Sequence, residues 1–488
     1  MPKSNHAHPR RHKNSHSKRS KKPPPRKLKP QRYKPRDSKV APSASSLQTI
    51  PALQLDLGAH LTAFLKGLPL NKLARLTRLV ERASKKITPL RLVTAGLLLI
   101  SQAHISLTVW AVLLGLLSHK TISKQGVFER LDQAAVDFFK AVLACALGQR
   151  AQLPQAGARP CKCPFGRILV QDSSTAKLSE KLAPAFPGGS NQHGETPGVL
   201  RIQAIFDLLN QTWVAFGLSS YRRNDQKASP DILPHLQKND LVLRDLGYFA
   251  VVVLEQIAQL GAFFITRFYF RTSVFDEQGH PIDLLRLLRQ EGCLNRWVRV
   301  GKKDALLVRL VAMPVPQSVA DQRRRKARAH LANRCQLSKE YLAMQGWTIY
   351  LTNVPASLLS PKQIAALYGQ RWQIEIIFKA WKSYFQLETI SSGMSAAQLE
   401  VLIYSKLLFI TITYPLSPLA LASQALTQTA GGYSRLQVSL LVSQCLVAIV
   451  FQHWAIDLAK EFAMQLQYHG RYGKRRRKNM LQKLLTLA

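Results

Sequence analysis

"LRIQAIFDLLNQTWVAFGLSS", Leu200 to Ser220, decides the fold class. Two β-favouring apolar runs flank a short Asn-containing step, so the stretch reads as two strands joined by a turn. Upstream, "RILVQD" (Arg167 to Asp172) is a short apolar run ending in a carboxylate. Downstream come a helix opened by Pro230, the run "LVLRD" (Leu241 to Asp245), a helix from Phe249 to Leu260 and another strand, "AFFITRF" (Ala262 to Phe268). Strands and helices thus alternate after a hairpin, which predicts an α/β fold: a mixed sheet flanked by helices.

From Arg271 to Asn353 the pattern is β-like again. "RWVRVG", "ALLVRLVAM" and "WTIYLTN" read as strands around the basic stretch "DQRRRKARAH", which makes residues of about 270–353 an insertion. Outside this core the chain is helical. Residues 46–150 carry apolar residues at helical intervals, as in Val127, Leu131, Ala134, Val136 and Phe138, and form a candidate helical DNA-binding domain. Residues 395–488 form a helical C-terminal domain that includes the basic "GKRRRK" (Gly473 to Lys478). The uncharged run from Leu92 to Ser118 exceeds the ~20 residues that span a bilayer. Ser101, Gln102, His104, Ser106 and Thr108 sit at its middle, where polar groups cost most, so it reads as two buried helices broken near His104. "LQVSLLVSQCLVAIVFQ" (Leu436 to Gln452) is interrupted in the same way and reads as a buried helix rather than a membrane span.

Composition narrows the partner. Lys and Arg number 69 against 27 Asp and Glu, a formal net charge of +42 in 488 residues, which points to a polyanion, nucleic acid first. Residues 1–40 hold 15 of the cations and one acid, Asp37, so the segment to about residue 45 is a basic tail that cannot bury a core. Removing that +14 leaves +28, so the rest of the chain is basic too. Six scattered cysteines make no disulfide framework and suggest a reducing compartment; Cys161 and Cys163 lack a second ligand pair and read as loop thiols. The N-terminus has no apolar stretch of the secretory type behind its charges.

The chemistry gathers in "YGQRWQIEIIFKAWKS", Tyr368 to Ser383. Tyr368, Arg371, Glu375 and Lys382 are spaced +3, +4 and +7 and would fall within about 60° of arc on one helix. Ile374, Ile377, Phe378 and Trp381 make a separate apolar stripe by which that helix packs. A solvated salt-bridged face accounts for the charged residues equally well. Asp172 and Asp245 shift the balance. Each ends an apolar strand, where a side chain reaches the ligand-binding edge of a sheet, and with Glu375 they make the three carboxylates that a divalent-metal site for phosphoryl transfer requires. Asp207, within "AIFDLL", is the rival ligand. Neither a P-loop nor an H-E-x-x-H pair is present, so no nucleotide cofactor is called for.

Tyr368-x-x-Arg371-x-x-x-Glu375-x-x-x-x-x-x-Lys382, following "QDSST" and "RDLGYF", resembles the DDE transposases of bacterial insertion sequences, in the insertion sequence four family with its Tyr-Arg-Glu-Lys signature. The resemblance covers roughly residues 160–390 and implies a ribonuclease-H-like catalytic domain with a β insertion between the second Asp and the Glu. It implies further that Asp172, Asp245 and Glu375 ligate two Mg²⁺ or Mn²⁺ ions, and that Tyr368, Arg371 and Lys382 contact the phosphate near the cut end. Trp347 resembles the family's aromatic that stacks on a flipped base. The implied activity is cleavage and strand transfer on double-stranded DNA, at the terminal inverted repeats of the element and at a target, by a homodimer in the bacterial cytoplasm at the nucleoid. A transposase-derived repressor or inhibitor that binds without cutting is the alternative, and a metal-dependent nuclease uses the same carboxylates.

Overall fold

The computed structural model describes residues 57–82, 86–102, 104–152, 163–189, 197–301, 306–331, 337–384, 393–413 and 435–456. The basic tail and the Gly473 to Lys478 cluster lie outside them. The described residues belong to one compact unit beginning at Leu53.

Six helices come first: α1 (Leu57–Gly67), α2 (Leu70–Leu76), α3 (Pro89–Leu98), α4 (Leu107–Ser118), α5 (Lys124–Phe128) and α6 (Gln133–Gln152). The break expected near His104 is present. Thr88 and Ser106 cap the starts of α3 and α4, accepting from the N–H groups of Arg91 and Val109, and a 3₁₀ turn at Leu99–Ser101 ends the first helix.

Strands β1 (Ile168–Lys177), β2 (Val199–Asp207), β3 (Thr212–Ser220), β4 (Leu241–Arg244) and β5 (Phe263–Arg267) follow, with α7 (Val251–Gln259) between the last two. Next come β6 (Val274–Phe275), α8 (Leu284–Glu291), β7 (Leu294–Val300), β8 (Leu306–Pro314), α9 (Gln317–Leu331), α10 (Lys339–Met344) and β9 (Trp347–Thr352). All nine strands form one sheet in the order β3-β2-β1-β4-β5-β9-β8-β7-β6. Its first five strands, antiparallel in the hairpin arm and parallel from β1 through β4 to β5, are the expected ribonuclease-H-like core. The insertion does not fold apart: β9 pairs antiparallel with β5 and extends the same sheet. The stretch "DQRRRKARAH" lies on helix α9.

Four helices complete the described chain: α11 (Pro361–Gly369), α12 (Trp372–Tyr384), α13 (Ala396–Thr413) and α14 (Arg435–His453). Strand alternation divides the core in two. Ile168, Val170, Leu241 and Leu243 face the helices that precede and follow the sheet, whereas Leu169, Val242 and Phe264 face α7 and the insertion. The described parts of the segments at 46–150 and 395–488 therefore share one apolar core. Arg150 of α6 donates to Ile412 O of α13 at 2.8 Å, and Gly96 lets α3 approach α13 so closely that a β-carbon there would meet Ser405 Oγ at 2.6 Å. Helix α13, which opens the helical segment expected from residue 395, is long and apolar enough to cross a membrane, but it is largely buried in this core. The run at Leu436 to Gln452 is helical, with Leu446, Val450 and Phe451 buried.

Candidate active site

Pairing between β1 and β4 ends at Gln171 opposite Arg244, so the next residues on the two strands, Asp172 and Asp245, stand side by side. Both share the parity of Val170 and Leu243 and project toward the face that α12 covers. Asp172 does not end its strand as expected. β1 continues to Lys177 against β2, and what ends beside Asp172 is β4. The carboxylate thus gains a rigid base on one side and an open cleft on the other.

Glu375 comes from the first turn of α12, whose Ile374, Ile377, Phe378 and Trp381 are buried as the stripe requires. Tyr368 and Glu375 do not share one helix. After Gly369, a poor helix former, the N–H groups of Arg371, Gln373 and Ile374 bond three residues back instead of four, and the tightened turn separates α11 from α12. Tyr368 consequently lies behind Arg371, with its ring 6.0 Å from the guanidinium carbon and 5.2 Å from the Tyr350 ring. Burial pushes its hydroxyl up to about 12.

Arg371 lies among the three acids. Its guanidinium is 2.7 Å from Glu375 Oε1, 3.6 Å from Asp172 Oδ2 and 3.7 Å from Asp245 Oδ1. Burial works against its charge, yet the surrounding carboxylates hold it more firmly protonated than usual. Asp172 is raised from 3.8 to about 7, first by burial and then by the like charges of Asp245 and Glu375, against the opposing Ser173 N–H and Arg371. Asp172, Ser173, Ser174, Asp245, Arg371, Glu375, Phe378, Lys379 and Lys382 line an open cleft of about 340 Å³. Lys382 Nζ donates to Thr175 O on β1 at 2.8 Å, joining α12 to the strand that carries Asp172.

Among the described residues no three of His, Cys, Asp and Glu stand close enough to share an ion. As the side chains stand, the Arg371 guanidinium lies between Asp172, Asp245 and Glu375. Asp207 is not in the cleft; its carboxylate accepts from the N–H groups of Leu209 and Asn210 and caps the β2–β3 turn. Trp347 is not brought to the cleft either. Its indole donates to Gly292 O at 2.8 Å and packs on the insertion's core. Lys379, one helical turn beyond Glu375, was missed, although its i+4 spacing is visible in the sequence. Asp225 gave no signal: its carboxylate accepts from Ser173 Oγ and Arg201 at 2.7 Å, beneath the cleft.

Comparison with known proteins meets this geometry: the sequence profile of the transposase DDE domain matches residues 164–409, from just before β1 into α13. The chain belongs to the transposase DDE-domain family. The transposase for insertion sequence element IS231B of Bacillus thuringiensis subsp. berliner is 28% identical over 312 residues, 60% of this chain and 65% of that protein. The IS231D transposase of subsp. finitimus is 29% identical over 310 residues, 59% and 64% of the two chains. That for IS1151 of Clostridium perfringens is 24% identical over 295 residues, 56% and 61%. The matched stretch thus spans less than two thirds of these relatives. The DDE-domain match takes in both strand aspartates, the insertion and α12, in agreement with the insertion-sequence transposase resemblance carried by Tyr368, Arg371, Glu375 and Lys382.

Proposed function

We propose that the chain cuts DNA at the terminal inverted repeats of its own element and joins the cut ends to target DNA. The observation that carries this reading is the convergence of Asp172, Asp245 and Glu375, from β1, β4 and α12, around one guanidinium in an open cleft. Three carboxylates converge on the cleft, and hard oxygen donors suit Mg²⁺ or Mn²⁺, so the donor set fits divalent ions. Asp172, Asp245 and Glu375 would hold them, two in this reading, with Arg371 released toward the phosphate; bound there, they supply Lewis acidity and an activated water.

The chain's own residues do the positioning. Arg371 presents a planar fork that suits a phosphate oxygen pair, and its buried Nε–H has no partner among the described residues. Lys379 and Lys382 add point charges along the cleft wall. Tyr368, kept protonated by burial, supplies a hydroxyl donor behind Arg371. The partners in this reading are the element ends, a target duplex and a second copy of the chain, in the bacterial cytoplasm at the nucleoid. A repressor or inhibitor without cleavage is the second reading, and the intact acids speak against it.

Incubating the purified chain with Mg²⁺ or Mn²⁺ and a labelled duplex carrying the inverted repeats that border its gene tests the proposal. Joined products are expected. Nicks alone would make the chain a nuclease, and binding alone would favour the repressor.

A further inference from the structure

We propose that the exposed face of helix α9 is a rail for the phosphate backbone of the duplex leading away from the cleft. This inference rests on reading the cleft as a site of DNA cleavage. Strand directions place α9 near it. β4 and β5 run parallel, and β9 runs against β5, so the start of β9 lies at the edge where β4 gives way to Asp245. Pro314, at the end of β8, pairs with Trp347 at the start of β9, and α9 begins three residues after Pro314.

Internal contacts fix the helix there and sort its cations. Arg323 donates to Trp347 O at 3.1 Å and to Thr348 Oγ1 at 3.0 Å, while Arg324 donates to Leu342 O and Asp321. Arg325, Lys326 and Arg328 are exposed and make no hydrogen bond or ion pair with a described residue. With Ser318, Asp321 and Arg324, the two exposed arginines border a groove of about 490 Å³. Five cations against one acid within α9 repel one another, so the face awaits a polyanion rather than an internal partner.

The ground between cleft and helix is basic, over buried or half-buried phenols. Arg371 lies by Tyr368, Tyr368 lies by Tyr350, and Arg267 at the end of β5 acts electrostatically on both phenols, as Arg323 does on Tyr350. The Arg267 guanidinium donates no hydrogen bond to a described residue. Cations from a phosphoryl-transfer cleft to an arginine-rich helix suit a nucleic-acid backbone.

The test compares the full chain with the triple variant Arg325→Gln/Lys326→Gln/Arg328→Gln on a duplex of arbitrary sequence and about 40 base pairs, by measuring affinity against salt. Each lost phosphate contact removes about 0.9 from the slope, so the variant's slope should be shallower by about two to three, with an unchanged thermal melt. Arg325→Lys/Arg328→Lys should keep the wild-type slope, since a point charge suffices. An unchanged slope in the glutamine variant overturns the proposal, as does an equal loss in the lysine variant. Cleavage of the element-end duplex is scored separately. A slope change without wild-type cleavage would keep the rail and sink the reading of the cleft, and cleavage with an unchanged slope would do the reverse.

Discussion

Arg244 donates to Gln171 Oε1 at 3.1 Å, and each of these two buried residues immediately precedes a carboxylate of the cleft. Because side chains alternate along a strand, the pair works on the far face of the sheet while Asp172 and Asp245 project from the near one. Ser229 extends the clamp, accepting from Arg244 through its carbonyl at 2.9 Å and its hydroxyl at 2.8 Å, and Gln171 donates to Ala228 O at 2.8 Å. Thus β1 and β4 are locked one residue below the carboxylates. Burial lowers Arg244 to about 10, which leaves it charged at neutral pH, and it makes no ion pair among the described residues.

Replacing that side chain separates placement from stability. Arg244→Met deserts three acceptor atoms, at a cost of about 1–3 kcal/mol each, and relieves an uncompensated buried charge worth several kcal/mol. The two effects largely cancel, so the melt should hold to within about 2 kcal/mol while cleavage falls at least about tenfold as the carboxylates lose register. Calorimetry and single-turnover cleavage decide it. A collapsed melt would assign the clamp to folding alone.

The raised Asp172 predicts a pH dependence. Its folded value of about 7 exceeds the ordinary 3.8, so protonation favours the folded chain. That stabilisation is fully present below about pH 4 and is lost as pH rises through about 7. In chelator, Asp172→Asn should flatten this loss and raise stability near pH 8 by about 1–4 kcal/mol. Adding Mn²⁺ should remove the pH dependence from the wild type and do nothing for the variant. Parallel melting curves for the two proteins between acid and neutral pH would contradict the assigned shift.

Asp172→Asn, Asp245→Asn and Glu375→Gln should each stop divalent-ion-dependent cleavage and leave end binding in place. These groups stand in the cleft, whereas in the proposed reading the basic surfaces hold DNA. Gel-shift and cleavage assays on the same duplex compare the two properties, and cleavage persisting in any one variant would remove that residue from the site.

What the sequence disclosed follows from what a local pattern encodes. Strands β7, β8 and β9 lie where "RWVRVG", "ALLVRLVAM" and "WTIYLTN" placed them, because each is a β-rich run bounded by turn residues. The two-residue β6 is too short to have a period. The turn that separates Tyr368 from α12 was hidden, since Gln370 and Arg371 are ordinary helix residues and Gly369 alone hints at a break. Arg371 and Glu375 at i, i+4 look like a surface pair; that two more carboxylates close on the same guanidinium is a product of β1–β4 register, which no local window contains. For the same reason nothing local showed α6 and α13 sharing a core, or Asp207 being taken up by a turn.

Arg371→Lys uses the difference between a fork and a point charge. One guanidinium spans three carboxylates, and an ammonium group would keep the charge without the planar reach. If Arg371 grips a phosphate oxygen pair during cleavage, the lysine variant loses a charge-assisted hydrogen bond worth roughly 1.5–3 kcal/mol, or about ten- to a hundredfold in rate. The fold should persist, because Ile374, Ile377, Phe378 and Trp381 are all buried and hold α12 against the sheet. Single-turnover cleavage read beside the melting temperature settles the point. A wild-type rate with a wild-type melt would reduce Arg371 to a counter-ion for Glu375 and take the phosphate fork away from this helix.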